Sequence, residues 1–199
     1  GLAMGVPLDA AARALEGVAP FKARMSPVVL ADGVTFIRDD WKASVHTIPP
    51  ALDFMRDARA SRKVAIIGTI ADTMGDAGAI YVTMAKRAVA ATDLVCFVGP
   101  RASSALRAKT HPSDDRIRAF ATVKAATEFF NGFLRPGDLV LLKGSNTADH
   151  LYRLILARTR GVACWRADCM KNGFCDTCSL VDVPSEADHS GTPEGGSVG

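Results

Sequence analysis

Leu139-Val140-Leu141-Leu142-Lys143-Gly144-Ser145-Asn146-Thr147 is the stretch that decides the fold. Four consecutive apolar residues suit a strand buried on both faces, as in the middle of a parallel sheet, and are far too few to cross a membrane. Lys143 ends the strand, Gly144 turns the chain, and hydroxyls at Ser145 and Thr147 stand where the next helix is expected, near Thr147. The same strand–turn–helix unit recurs upstream. Lys63 to Ile67 reads as a strand, followed by a turn at Gly68 and a helix over Ala79 to Ala91 with Ile80, Met84 and Ala88 along one side. Leu94 to Val98 is the next strand, with a turn at Gly99-Pro100 and a short helix from about Ser103. A helix over Val123 to Phe133 and the turn Arg135-Pro136-Gly137-Asp138 lead back into Leu139. This alternation predicts an α/β, Rossmann-like fold with a largely parallel sheet and helices on both faces. Ligands of such sheets meet the loops after the carboxyl ends of the strands, here the turns at Gly68, Gly99 and Gly144.

The flanks are less regular. Ala10 to Glu16 reads as a short helix whose apolar face is Leu8, Ala11, Ala12 and Leu15, broken by Gly17 and Pro20. Val28-Val29-Leu30, the turn Ala31-Asp32-Gly33 and Val34 to Ile37 form an expected hairpin ahead of the sheet. Pro49-Pro50 suits the first turn of a helix running to about Arg59, with Leu52 and Met55 buried. After Arg160 the pattern stops, and Pro184 to Gly199, rich in Ser, Gly, Pro, Asp and Glu, is expected to be a mobile tail.

Bulk properties exclude several classes of function. The chain has 199 residues, enough for one substantial core, and its 24 basic and 21 acidic residues nearly balance at +3. That balance gives no nucleic-acid footprint, and the basic residues of Arg101 to Lys109 read as solvated surface. No apolar run is long enough for membrane insertion, and Gly1 to Pro7 lacks the basic and apolar regions of a secretory signal. Cys96, inside an apolar strand, reads as a small buried hydrophobe.

Two clusters carry chemistry. At Lys143-Gly144-Ser145-Asn146, backbone N–H groups at a helix start and a lysine ammonium would together suit a carboxylate or phosphoryl oxygen. The plainer reading is a strand-to-helix turn with Ser145 or Thr147 as N-cap. It is not a Walker A loop, which needs Gly-x-x-x-x-Gly-Lys before the hydroxyl residue. At Phe36-Ile37-Arg38-Asp39-Asp40-Trp41-Lys42-Ala43-Ser44, an apolar segment delivers two carboxylates, an aromatic ring and an ammonium into one turn. A carboxylate there can accept from ribose hydroxyls and Lys42 can hold an anion, or the cluster is a charged strand exit paired within itself.

Taken in order, these segments resemble the carboxyl-terminal domain of the Mur ligase family, most closely the branch that adds D-alanyl-D-alanine to a nucleotide-linked peptide. Asp39-Asp40-Trp41-Lys42-Ala43-Ser44 resembles the Asp-Ser-Tyr-Asn-Ala-Asn segment of that branch. Val64 to Gly75 resembles its Val-Val-Gly-Asp-Met-x-Glu-Leu-Gly segment, and Lys143-Gly144-Ser145-Asn146 its Lys-Gly-Ser-Arg. The resemblance implies a division into residues 1–20 as a remnant of the central ligase domain, 21–160 as the carboxyl-terminal domain, and 161–199 as a cysteine-containing segment and tail. It implies an ATP-dependent ligase of peptidoglycan synthesis, cytoplasmic, that activates a carboxylate as an acyl phosphate and joins it to an incoming amine. ATP and Mg2+ would act in the complete enzyme, with an ATP-binding central domain lying upstream or on a separate partner. Asp39 and Asp40 would contact the nucleotide ribose. Lys42, Lys143, Gly144, Ser145 and Asn146 would bind the incoming amino acid or short peptide. A noncatalytic ligase-like binding or scaffold module is the alternative. The sequence departs from the family pattern at Asn146, where the family has arginine, at Thr69, where it has aspartate, and at Tyr81, near a customary histidine. These departures leave the identity of the incoming amine open.

The tail stands outside that resemblance. Cys164, Cys169, Cys175 and Cys178 supply enough soft ligands for a tetrahedral, structural Zn2+ site, and Cys175-Asp176-Thr177-Cys178 has the two-residue gap common in such sites. Free thiols and local disulfides are the competing readings, and His150 and His189 are substitute ligands.

Overall fold

The computed structural model describes residues 2–167 and 169–185. Expectations for residues 186–199, including the mobile tail and His189, lie outside them. Six strands form one sheet: β1 (Ser26–Val29), β2 (Thr35–Asp39), β3 (Arg62–Ile67), β4 (Leu94–Val98), β5 (Ile117–Phe120) and β6 (Asp138–Lys143). Their order is β1-β2-β6-β3-β4-β5. Among the described residues only the β1–β2 hairpin is antiparallel; β2–β6, β6–β3, β3–β4 and β4–β5 are all parallel. The helices are α1 (Leu8–Glu16), α2 (Ile48–Asp57), α3 (Ala77–Ala91), α4 (Val123–Phe133) and α5 (Arg153–Thr159), with a 3-10 helix at Ala102–Ala108.

Alternation along the strands divides the core into two layers, because successive side chains of a strand point to opposite faces. Ile37, Ala65, Ile67, Val95, Phe97, Leu139 and Leu141 join α2, α3 and the 3-10 helix on one face. Phe36, Val64, Ile66, Cys96, Val98, Val140 and Leu142 join α4 and α5 on the other. Both faces are covered, which is why β6 reads as an unbroken apolar run.

Three expectations need revision. First, α1 forms where the sequence placed it but buries no residue, and Leu8 and Leu15 are each 69% exposed. Only Ala10 and Ala11 of the helix are half-buried. Second, β5 carries no clear signal in the sequence. It is a four-residue edge strand carrying Arg118 and following a charged turn, and an edge position tolerates such residues. Third, the helix expected near Thr147 starts at Arg153. Residues 146–149 turn instead, and His150 has φ +50, a left-handed conformation that interrupts a right-handed helix. No helix among the described residues is long and apolar enough to cross a membrane.

Candidate functional site at the carboxyl rim of the sheet

Parallel pairing sets Asp39 beside Lys143 and Ile67 beside Lys143 on its other side, so β2, β6 and β3 end level. The three following turns are stitched together by backbone bonds. Asn146 N–H donates to the Trp41 carbonyl (3.1 Å), Gly68 N–H to the Lys143 carbonyl (2.8 Å), and Ala71 N–H to the Ala43 carbonyl (2.8 Å). The two clusters singled out in the sequence are therefore one rim.

Within it, most of the charge is paired internally. Lys143, expected at the incoming carboxylate, is 1% exposed and its ammonium donates to Asp39 at 2.6 Å. Burial pulls the Lys143 ammonium below its ordinary pKa, against Asp39, which holds it up. Asp40 is gripped by both prongs of Arg38, at 3.0 Å each, and is 2% exposed. Burial pushes its carboxyl up, opposed by the Arg38 hydrogen bonds and charge. Arg38 in turn lies 3.6 Å from the ring centroid of Tyr152. Lys42 is the accessible cation, half-exposed and 2.9 Å from an equally exposed Asp72. Ser145 is half-buried, with its hydroxyl 3.4 Å from that of Thr147.

The anion expected at the Gly144 turn is supplied by the chain itself. Asp149 accepts from Ser145 N–H (2.9 Å), Thr69 N–H (2.8 Å) and the Thr69 hydroxyl (2.7 Å). It thereby ties the turn after β6 to the turn after β3. Burial raises the Asp149 carboxyl, and the Thr69 and Ser145 donors work against that rise. Glycine is needed at both turns: a Cβ on Gly68 would overlap the Asp149 carboxylate, and one on Gly144 would meet Leu151 Cδ1 at 2.7 Å. Sequence reasoning passed over Asp149, although a carboxylate four residues after Ser145, just past a glycine turn, is a signal that it will cap that turn.

All three departures from the family pattern have internal partners. The Thr69 hydroxyl goes to Asp149, Tyr81 Oη accepts from Ile70 N–H (3.1 Å), and Asn146 Nδ2 donates to the Gly173 carbonyl (3.1 Å). A cavity of about 270 Å3 opens beside them at the strand ends, lined by Thr69, Tyr81, Gly99, Arg101, Thr147 and Asp149 among others. The exposed Arg101, read from sequence as solvated surface, is one of its walls.

The segment after α5 folds back over this rim. Trp41 lies between Phe21 (6.0 Å, edge to face) and Phe174 (5.5 Å). Arg153, 3% exposed, donates to the carbonyls of Asp149, His150, Cys164 and Arg166, so one guanidinium fastens the segment to the helix start. All five cysteines are free thiols. Among the described residues no three His, Cys, Asp or Glu side chains form a ready metal cage, so the structure by itself does not support zinc. Cys175 Sγ and His150 Nδ1 are 3.4 Å apart. Burial holds His150 down to about 4 and lifts Cys175 to about 11, so both are neutral at pH 7.

Comparison with known proteins bears on the whole of this rim. The family model described as "Mur ligase, glutamate ligase domain" matches residues 23–146, from the hairpin through the Lys143 turn. Among solved structures, MurF from Acinetobacter baumannii is 23% identical at a TM-score of 0.66, covering 79% of this chain and 35% of its own. The MurF ligase from Thermotoga maritima in complex with ADP is 16% identical at 0.58, covering 72% and 32%. A murein peptide ligase from Psychrobacter arcticus is 20% identical at 0.56, covering 82% and 35%. These likenesses concern the fold, and the chain spans about a third of the length of those structures. No curated protein gave a significant match. The match over residues 23–146 covers more than half of the chain: it belongs to the Mur ligase family, as the carboxyl-terminal domain of that architecture.

Proposed function

We propose that this chain serves an ATP-dependent amide-bond-forming ligase of cell-wall synthesis, and that its rim faces the nucleotide and positions the incoming amine. The observation that carries the reading is the stitched rim, where the Asp39–Lys42 and Lys143–Asn146 turns meet across paired strand ends. Lys42 and Ser145 are its accessible polar side chains and hold the carboxylate of an incoming amino acid or short peptide. Lys143, Gly144 and Asn146 shape that turn, with Lys143 paired to Asp39 through the 2.6 Å contact. Asp39 and Asp40 are the nucleotide-facing residues. Each carboxylate oxygen has a second lone pair, so a ribose hydroxyl can donate to one that already accepts from Arg38 or Lys143.

Such contacts orient the amine for attack on an acyl phosphate and do not themselves activate the carbonyl. The phosphate cradle, ATP and Mg2+ belong to a central domain, on the same polypeptide or a partner, since this chain has no Walker A loop. The exposed Leu8 and Leu15 of α1 support assigning residues 1–20 to such a domain. ATP and nucleotide-linked substrates make the cytoplasm the site of action.

The test separates the two half-reactions. The chain alone, given ATP, acyl substrate and amine, is expected to form no amide, and the complete assembly to form it. In the assembly, Lys42→Ala or Ser145→Ala should raise KM for the amine by about tenfold and leave trapped acyl phosphate unchanged. Loss of acyl phosphate with unchanged amine use would overturn the assignment. A noncatalytic scaffold module is the second reading, favoured by Thr69, Tyr81 and Asn146 all being satisfied internally. It predicts an assembly that binds its partners but consumes no ATP.

A further inference from the structure

Beside the rim lies a second cavity, of about 400 Å3, with an unusual wall. Cys164, Cys169, Cys175 and Cys178 all line it, together with His150, Arg153 and Gly173. Four of the five cysteines of a 199-residue chain thus face one space, although they span positions 164 to 178 and belong to no common ladder. Small hydrophobic packing would account for one or two such thiols, and four on one wall supply a full tetrahedral ligand set. The local geometry is also that of a sulfur-ligand turn. Cys175–Thr177 is a 3-10 turn, which brings Cys175 and Cys178 to the same side, and Leu180 N–H donates to Cys178 Sγ at 3.5 Å. Backbone donors of this kind orient a thiolate and temper its charge when it ligates a metal.

A second observation concerns His150, whose Nδ1 lies 3.4 Å from Cys175 Sγ on the same wall. His150 is 3% exposed, lines the cavity, and its Nε2 has no hydrogen-bond partner. A buried ring nitrogen without a protein partner is uncommon, and it leaves a polar group facing the cysteine-lined space. The buried Arg153 adds a cation on the same wall, which favours a cluster of negative charge.

We propose that Cys164, Cys169, Cys175 and Cys178 bind one zinc ion, and that the filled site clamps the tail onto the carboxyl rim. The thiols stand apart, since no ready cage exists among the described residues. Tetrahedral ligation at about 2.3 Å per Zn–S bond therefore requires the segment to close around the ion. No strand ladder among its described residues opposes that closure, and Gly173 lies between the two cysteine pairs. Each thiol releases its proton to solvent on ligation. Closure draws on contacts that already reach the rim. Asn146 holds the Gly173 carbonyl, Phe174 covers Trp41, Lys22 pairs with Asp176 at 2.7 Å, and His150 touches Cys175. With four thiolates the metal has no open position, so it is structural.

The experiment does not depend on ligase activity, so its failure is distinguishable from failure of the functional reading. The full 199-residue chain, purified under reducing conditions, is analysed for metals. It is then stripped with chelator and titrated with Zn2+ or Co2+. About one zinc per chain is expected, with cobalt giving sulfur-to-metal charge-transfer absorption of a tetrahedral site. Alkylation of the four tail thiols should slow at least tenfold with metal, and amide exchange over residues 161–185 should slow with it. Cys175→Ser should lose the stoichiometric site, while Cys96→Ala should keep it. The wild-type titration stands even if a variant misfolds. Absence of stoichiometric metal with all four thiols reactive, bound iron with inorganic sulfide, or disulfides among these cysteines would each overturn the proposal.

Discussion

Strand β6 and the segment over residues 161–185 border the same rim in contrasting ways. All six residues of β6 are buried, and it pairs on both sides, with β2 and with β3. In the segment only Cys164, Val181 and Ser185 are buried among the described residues, and its one regular element is the 3-10 turn at Cys175–Thr177. The sheet is held by two apolar layers acting over large areas. The segment is held by single contacts: the Arg153 guanidinium, the Asn146 amide and the Phe174 ring. Cohesion spread over area tolerates loss of any one polar bond, whereas cohesion by single contacts is local and switchable. A metal would convert the second kind into the first.

The largest effect is expected in the sheet. Leu141, fully buried in β6, should lose about 3 kcal/mol on Leu141→Ala, measured by urea unfolding. Val183→Ala, at a 43% exposed position of the segment, should change stability by less than about 0.5 kcal/mol. Equal losses would erase the contrast between the regions.

Next comes the buried ion pair. Lys143→Met strands the Asp39 carboxylate and should destabilise by about 3 kcal/mol, while adding Asp39→Leu should recover most of that loss. A silent Lys143→Met would show that the ammonium is not committed to Asp39 and is free for a substrate.

Asp149 sharpens the comparison with pH. Its carboxyl is raised above 3.8 in the folded protein, so the folded state holds that proton more tightly than the unfolded one. Stability relative to Asp149→Asn should therefore rise as pH falls from the raised folded value towards 3.8, and level off below it. At neutral pH the asparagine variant should lose about 1–2 kcal/mol, because it leaves N–H donors at the two turns short of an acceptor. A difference that shrinks on acidification would mean that the turn donors outweigh burial.

The smallest effect on stability is expected at Lys42. Its bridge to Asp72 is about half-exposed on both sides, and Lys42→Ala should shift the unfolding midpoint by no more than about 0.5 kcal/mol. The same substitution should still weaken amine use in the complete assembly, and this split separates an accessible contact residue from one that shapes the rim.

Much of the fold was legible because the strands announce themselves. Leu94 to Val98 and Val123 to Phe133 have the same bounds in sequence and structure. The edge strand β5 was not legible, since four residues with an arginine among them give too short an apolar signal. The site was legible as two clusters, but not in how their charges are used. Nothing in Lys143-Gly144-Ser145 says that the lysine faces Asp39 or that Asp149 returns to the turn, because both contacts depend on register and on the left-handed step at His150.

The sequence by itself determined a parallel α/β sheet, the turns that end its strands, the glycines at those turns and the crowding of cysteines after Arg160. All of these are local in the chain: periodicity, backbone freedom and composition act within a few residues of each other. Tertiary structure decided which charges neutralise one another, which lysine remains open, and that four thiols separated by up to fourteen positions share one cavity with His150. Those outcomes depend on parallel pairing between strands distant in sequence, Asp39 with Lys143 above all, and on burial that forces each polar group to find a partner or leaves it waiting for one.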